Sequence, residues 1–431
     1  MRVLRHSLPT FASDYSGAVS ALYDLGGLVI VHGAHGCASN TVSYDEPRAW
    51  SSRSRVFTSG LTDMDCLLGK DDFLLDQIER THRAVGGAFV AVVGTPNTMI
   101  VGTDYDAVAR KVGERCGVPA FGVATTGTEY YDRGAARALT ELARKVVFHG
   151  AASATAAPGD LPAPLPGTVN LLGATPLDLV SQKAVSAAVG MLEGAGWRVL
   201  STWAMGSSLE DLARASQAAA NVVLTSCGLD LARWMEARLG IPYVLGSFAG
   251  ERSFARFEAE LRRVAAGRQG SLATPAAKPE SQPEVKVEPE VERETSVNPQ
   301  ADGLRALVVA DPVLARGIAR SLREDCGIHQ VREATLLPRP PRPAPDVACA
   351  YLDEDSLARE LAGEGLDLLV ADPMLARLLP AGSPCRLVPL VCPALSSRLC
   401  DVEPVLPLGP AFPRAVADAL ASPAAAMRAS V

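Results

Sequence analysis

The feature that most constrains this chain is a repeated switch between short β-branched runs and longer stretches of helical period. Leu28–Val31, Phe89–Val93 and Ala120–Val123 read as buried strands, with Phe73–Val85, Ala107–Cys116 and Arg133–Val147 as helices. The pattern returns with strands Val169–Leu172, Arg198–Leu200, Val222–Leu224 and Pro242–Leu245 around helices Leu177–Glu193, Leu209–Ala219 and Asp230–Leu239. A third round runs from Ala306–Val309 through the Val313–Glu324 helix, Val347–Ala350, Leu357–Gly363 and Leu366–Val370 to Met374–Leu379. Such alternation requires right-handed crossovers and parallel sheets covered on both faces. The expected fold class is α/β, with three doubly wound, Rossmann-like domains.

Two composition shifts mark expected boundaries. Residues 151–166 are rich in alanine and proline, and residues 268–302 mix proline, glutamate, serine and lysine with few large apolar side chains. Both read as linkers, the second as disordered. The domains expected between them cover 1–150, 167–267 and 303–431.

Composition narrows the partners. A net charge of −7 offers no global field for nucleic acid or an anionic membrane surface. No apolar run approaches the ~20 residues of a membrane span, and residues 1–13 lack a signal-peptide apolar core, so a cytoplasmic location is expected. The nine cysteines are scattered with no Cys-x-x-Cys pair, which argues against a disulfide framework or ribbon zinc site. Cys116, Cys326 and Cys349 read as small core hydrophobes.

Parallel α/β sheets bind ligands at the carboxyl ends of strands. The windows to inspect are therefore His32–Cys37, Gly94–Asp104, Gly173–Pro176, Thr225–Asp230 and Asp311–Pro312. None holds a phosphate-cradling Gly-x-x-x-x-Gly-Lys-Ser/Thr or a Gly-x-Gly-x-x-Gly, so ATP and NAD are not expected in this chain. Gly-x-Ser-x-Gly and His-Glu-x-x-His are also absent. The informative segment is Leu28-Val-Ile-Val-His32-Gly-Ala-His35-Gly-Cys37, a strand running into a glycine-rich loop that ends on a thiol. Gly33 and Gly36 would clear side chains from around Cys37, which suits a bulky inorganic ligand. A tight turn holding a buried cysteine is the alternative.

The string His32-Gly-x-x-Gly-Cys37 resembles the corresponding loop of nitrogenase component 1 and its relatives, which include dark-operative protochlorophyllide reductase subunits and cofactor-assembly homologues. Further similarities follow in order: Ser59-Gly-Leu-Thr-Asp63-Met-Asp65 through Gly69, Gly102-Thr-Asp104, Val169-Asn170-Leu-Leu-Gly173, Ala220-Asn221, and Met235-Glu236 with Gly240-Ile-Pro242. The resemblance implies a subunit of a nitrogenase-like oxidoreductase that takes electrons from a separate ATP-dependent iron–sulfur reductase. It also implies a [4Fe-4S] cluster shared with a partner subunit.

Departures from the family pattern qualify that implication. Of three usual cluster cysteines only Cys37 is present; the other two positions fall near Thr10-Phe11-Ala12 and at Thr95-Pro96. Cys66 reads as a core residue. A four-iron cluster takes four protein ligands. A homodimer would supply two copies of Cys37 and need others, with His35, Asp45 and Glu46 as candidates, whereas a heterodimer with a three-cysteine homologue completes the set as one plus three. The heterodimer is the preferred reading. Cys227 lies three residues beyond the family's cofactor-anchoring position and is a candidate to face the cofactor cavity; a half-buried thiol capping the next helix is the alternative. His329, the third domain's one histidine, has no recognisable ligand context, so a nitrogenase-type metal cofactor is not expected. Two rival functions stay open: a scaffold or carrier for assembly of a metal cofactor or tetrapyrrole, and a cluster-free structural subunit.

Overall fold

The computed structural model describes residues 7–49, 54–68, 71–149, 162–272, 303–338, 349–363, 365–396 and 407–422. It contains three sheets in which every strand pair is parallel. The first comprises β1 (Leu28–Val31), β2 (Val56–Thr58), β3 (Val90–Val93) and β4 (Ala120–Val123) in the order β2-β1-β3-β4. The second comprises β5 (Leu165–Leu172), β6 (Arg198–Thr202), β7 (Ala218–Val223) and β8 (Tyr243–Leu245) in the order β6-β5-β7-β8. The third comprises β9 (Arg305–Val309), β10 (Gln330–Thr335), β11 (Ala350–Tyr351), β12 (Leu368–Ala371) and β13 (Arg386–Pro389) in the order β11-β10-β9-β12-β13.

The central strands β1, β3, β7 and β12 are buried at every position. This is why they read as continuous apolar runs: both faces are covered by helices. Strand order reverses between β1 and β3, between β5 and β7, and between β9 and β12. These reversals splay the following loops apart and open a crevice at each carboxyl edge.

Several elements depart from expectation. The helix expected over Leu177–Glu193 is broken into Pro176–Leu179 and Gln182–Gly194, because Val180 takes φ 64°, a left-handed conformation costly for a β-branched residue. The expected Leu209–Ala219 helix ends at Ala213, and Ala218 already belongs to β7, so tertiary pairing overrides the helical propensity of the alanine run. The helix Glu251–Leu272 continues past residue 268, where the linker was expected to begin. The remainder of that linker, residues 273–302, lies outside the described residues, as do 151–161 of the other.

One core spans the first two sheets. Phe121, Leu139 and Phe148 pack in the same cluster as Leu172, Trp203 and Met235. The helices Asp14–Leu22 and Tyr131–Leu142 touch backbone to backbone: a Cβ on Gly17 would stand 1.9 Å from the Tyr131 carbonyl oxygen, and one on Gly134 would stand 1.6 Å from that of Asp14.

Candidate functional site

The first crevice follows β1 and β3. His32 is buried, and its Nδ1 lies 2.9 Å from Ser59 Oγ; the same hydroxyl accepts from the Gly33 amide. Gly33 does not clear space for a ligand, because a Cβ there would stand 2.3 Å from Thr95 Oγ1. Thr95 fills that space and donates to the His32 carbonyl at 2.8 Å. Gly36 is different: among the described residues a Cβ there would meet nothing within 4 Å. Thr95 also opens the Pro96–Ile100 helix with a reciprocal cap to Thr98, and Asp104 caps the next helix by accepting from the Ala107 amide at 2.9 Å. Thr95-Pro96, where a cluster cysteine is missing, and the Gly102-Thr-Asp104 motif thus both serve to start helices.

Cys37 lies inside the short helix His35–Asn40, half-buried, with Sγ 4.0 Å from Asn97 Oδ1. Burial pushes its thiol above the ordinary range, so a metal would have to displace a proton to bind it. The auxiliary candidates have other partners. His35 is exposed and its ring lies against Gly60; Asp45 accepts from Ser16 Oγ at 2.5 Å; Glu46 is fully buried and pairs with Arg48 Nε at 2.7 Å. Among the described residues no group of three or more His, Cys, Asp or Glu side chains is arranged to hold a metal ion. The described residues therefore do not make up the ligand set of a cluster within this chain alone.

Cys66 is half-buried and lines a cleft of about 330 Å³ with His32, Asp65, Asp104 and Lys111, rather than packing in a core. Around the same edge, Met64, Leu68, Phe73, Met99, Ile100 and Val101 are exposed, Ile100 to 78%. Of these, Phe73 and Val101 line the cleft itself.

The second region is where all three sheets present their carboxyl edges to one another. Tyr131, from the first, donates to Asp178 Oδ1 at 2.5 Å; Thr175 Oγ1 donates to Asp178 Oδ2 at 2.7 Å, and Cys227 Sγ lies 3.5 Å from the same oxygen. Asp311, from the third, accepts from the Ser226 amide and hydroxyl. Cys392 donates to the Leu177 carbonyl at 3.5 Å. Two glycines allow this convergence: a Cβ on Gly173 (φ 78°) would stand 2.6 Å from Gly228 N, and one on Gly228 would stand 2.6 Å from the Leu172 carbonyl carbon. Cys227 is fully buried within this network and lines none of the neighbouring cavities, which are bordered by Asp178, Tyr131, Asp311 and Cys392 instead. His329 is exposed just before β10, away from the junction network.

The electrostatics of the junction are one-sided. Burial first, and the neighbouring Asp311 second, push Asp178 far above the usual carboxylate range; burial also raises Asp311 and pushes Asp132 up to about 7. Asp132 is 5% exposed, and Oδ1 has no hydrogen-bond partner among the described residues. Burial, then Asp178, hold the Cys227 thiol and Tyr131 hydroxyl protonated. The signal for this site in the sequence was partial. Thr175, Cys227 and Asp311 fall in the post-strand windows, whereas Asp178 falls two residues past one, Tyr131 lies far from all of them, and neither belongs to a spacing motif.

Comparison with known proteins agrees with this architecture. The family model "Nitrogenase component 1 type Oxidoreductase" matches residues 13–375. The nitrogenase iron-molybdenum cofactor biosynthesis protein NifE of Nostoc sp. is 28% identical over 232 residues, covering 51% of this chain and 44% of the relative. Component CfbD of the Ni-sirohydrochlorin a,c-diamide reductive cyclase complex of Methanothermobacter thermautotrophicus is 30% identical over 109 residues, 25% of this chain and 28% of that one. The chain thus spans less than half the length of the curated relatives named here. Among solved structures, nitrogenase Cp1 at pH 5 superposes with a TM-score of 0.53 at 17% identity, over 83% of this chain and 69% of that one, which shows the shared fold.

Proposed function

The chain belongs to the nitrogenase component 1 type oxidoreductase family, and on that premise we propose that it is the single-thiolate subunit of a two-subunit electron-accepting component. It pairs with a homologous subunit carrying three cysteines, works in the cytoplasm, and receives electrons from an ATP-dependent iron–sulfur reductase. The observation that carries the reading is half-buried Cys37 just after β1, its Sγ 4.0 Å from Asn97 on a short helix whose Met99 and Ile100 are exposed. A half-buried thiol beside an apolar surface suits a ligand completed across a subunit interface. A shared iron–sulfur cluster would supply one-electron storage there. The chain's own part is to hold Cys37 on the rigid carboxyl edge of the first sheet and to exclude water from it once the partner is seated.

A second reading is favoured by the match to NifE, whose name places it in cofactor biosynthesis: a scaffold or carrier on which a metal cofactor or tetrapyrrole is assembled. One experiment separates the two. The chain is co-expressed anaerobically with its homologous subunit and mixed with pre-reduced iron–sulfur reductase and ATP, and reoxidation of the reductase is followed optically. The acceptor reading expects ATP-dependent reoxidation that requires this chain. Complex formation without reoxidation supports the scaffold, and tight ATP binding by this chain alone contradicts the division of labour.

A further inference from the structure

The third sheet reverses its strand order between β9 and β12, and the sequence after these two strands is a repeat: Ala310-Asp311-Pro312-x-Leu-Ala-Arg316 and Ala371-Asp372-Pro373-x-Leu-Ala-Arg377. Both aspartates are buried, and each starts the helix after it by accepting a backbone amide, that of Val313 for Asp311 and that of Met374 for Asp372. The other oxygen of each reaches outward, Asp311 to the Ser226 amide at 3.0 Å and Asp372 to the Cys392 amide at 2.8 Å. The pair thus flanks the switch-point crevice of a doubly wound sheet. Here the crevice is covered from outside its own domain: Phe11 borders the small cavity over it, together with Val309, Asp311, Asp372 and Cys392.

Phe11 belongs to segment 7–12, which runs outside every helix and strand as it passes from the third domain to the first. At the third-domain end Glu354, 5% exposed at the start of the Glu354–Leu361 helix, accepts the Ser7 amide at 2.8 Å and the Leu8 amide at 3.4 Å. Leu8 is buried beside it in one core with Leu307, Leu336 and Leu357. The other end is tied at Ala12, whose amide donates to the Ala394 carbonyl at 2.7 Å and whose carbonyl accepts the Tyr131 amide at 3.0 Å. Between these ties Phe11 packs against the cores of both domains, its ring 5.2 Å from that of Tyr130 and 6.0 Å from that of Tyr131.

We propose that residues 7–12 are a strap that opens as a unit with Glu354 as its latch, so that the third-sheet crevice has two states: the closed one described, and an open one in which Phe11 withdraws and Cys392 meets solvent. The latch releases all at once, because the Ser7 and Leu8 amides share one carboxylate and the Leu8 side chain leaves the core with them. Pro9 fixes the backbone between the latch and Phe11, which couples movement of one to the other. Opening breaks no strand pairing, since the segment is not part of the sheet it covers. A covering segment of this kind opens at a lower free energy than the sheet beneath, whereas a purely structural tie holds until the domain unfolds. Hydrogen bonds to an ionised carboxylate are strong, which keeps the closed state dominant.

The test is amide hydrogen exchange and iodoacetamide labelling of the full chain, both read peptide by peptide by mass spectrometry. The expected result is that the Ser7, Leu8 and Ala12 amides exchange together and faster than those of β9. Cys392 should be alkylated in step with them, while Cys349, buried in the core of the same domain, stays protected until that domain unfolds. Glu354→Gln, which keeps the size and removes the charge, should speed strap exchange and Cys392 alkylation about tenfold and leave β9 and Cys349 unchanged. Leu8→Ser, a change outside every helix and strand, should do the same from the other side of the latch. Strap amides that exchange only at the β9 rate, or Cys392 alkylation that stays constant while strap exchange quickens, would each overturn the proposal. The wild-type comparison with β9 decides even where a variant fails to fold. No cluster, partner or reductase enters the measurement, so its outcome stands whether or not the acceptor-subunit reading does.

Discussion

At the scale of single residues, the chain separates what a motif can announce from what only a fold can assemble. Cys37 stands out in the sequence because a glycine-rich loop after an apolar strand is a local signal. The role of Gly33 does not, because the side chain that fills its space, Thr95, comes from the next strand over. Tyr131, Asp178 and Asp311 are far apart in sequence and meet only where three sheets converge. Asp132 offers a direct check on that junction. Its folded-state pKa of about 7 lies above the ordinary 3.8, so the native state binds more protons than the unfolded one between those values. Stability is then full below about pH 4 as far as this group is concerned, and falls as pH rises through 7. Asp132→Asn removes the buried charge and should raise the melting temperature by a few degrees at about pH 8 while leaving it nearly unchanged at about pH 4. An equal shift at both would show that Asp132 is not ionising in the fold.

At the scale of elements, the central strands were readable because β1, β3 and β12 are apolar on both faces. Those with a polar face or few residues were not: β10 carries Gln330, Arg332 and Glu333, and β2 is three residues long at a sheet edge. The Asp14–Leu22 helix escaped the pattern because glycine and serine lie on its buried face, where they let the Tyr131–Leu142 helix approach. Gly134→Ala tests that packing. The clash is with the Asp14 carbonyl, part of the backbone, so no rotamer relieves it. A loss of about 1–3 kcal/mol is expected, as for overpacked cores, read as a lower denaturation midpoint. Tyr131 begins the displaced helix and donates to Asp178, so an unchanged midpoint in Gly134→Ala would show that this close packing does not hold the junction.

At the scale of the whole molecule, the carboxyl edges of the three parallel sheets have different surroundings. The first carries half-buried Cys37 and Cys66 near its carboxyl edge, and all three contribute to a buried set of carboxyls, a phenol and thiols. The architecture was expected from strand–helix alternation alone. A partner subunit was expected from the family resemblance alone, since exposed apolar residues such as Ile100 look in sequence like any core residue. The central claim is that Cys37 supplies the one ligand this chain gives to a shared cluster, and its most direct test is iron, acid-labile sulfide and the electron paramagnetic spectrum of the anaerobically purified two-subunit complex, with and without Cys37→Ser. The account predicts about four iron atoms per heterodimer and their loss or a changed spectrum in the variant, with the subunits still associated. Unchanged iron and an unchanged spectrum in an intact Cys37→Ser complex would contradict it.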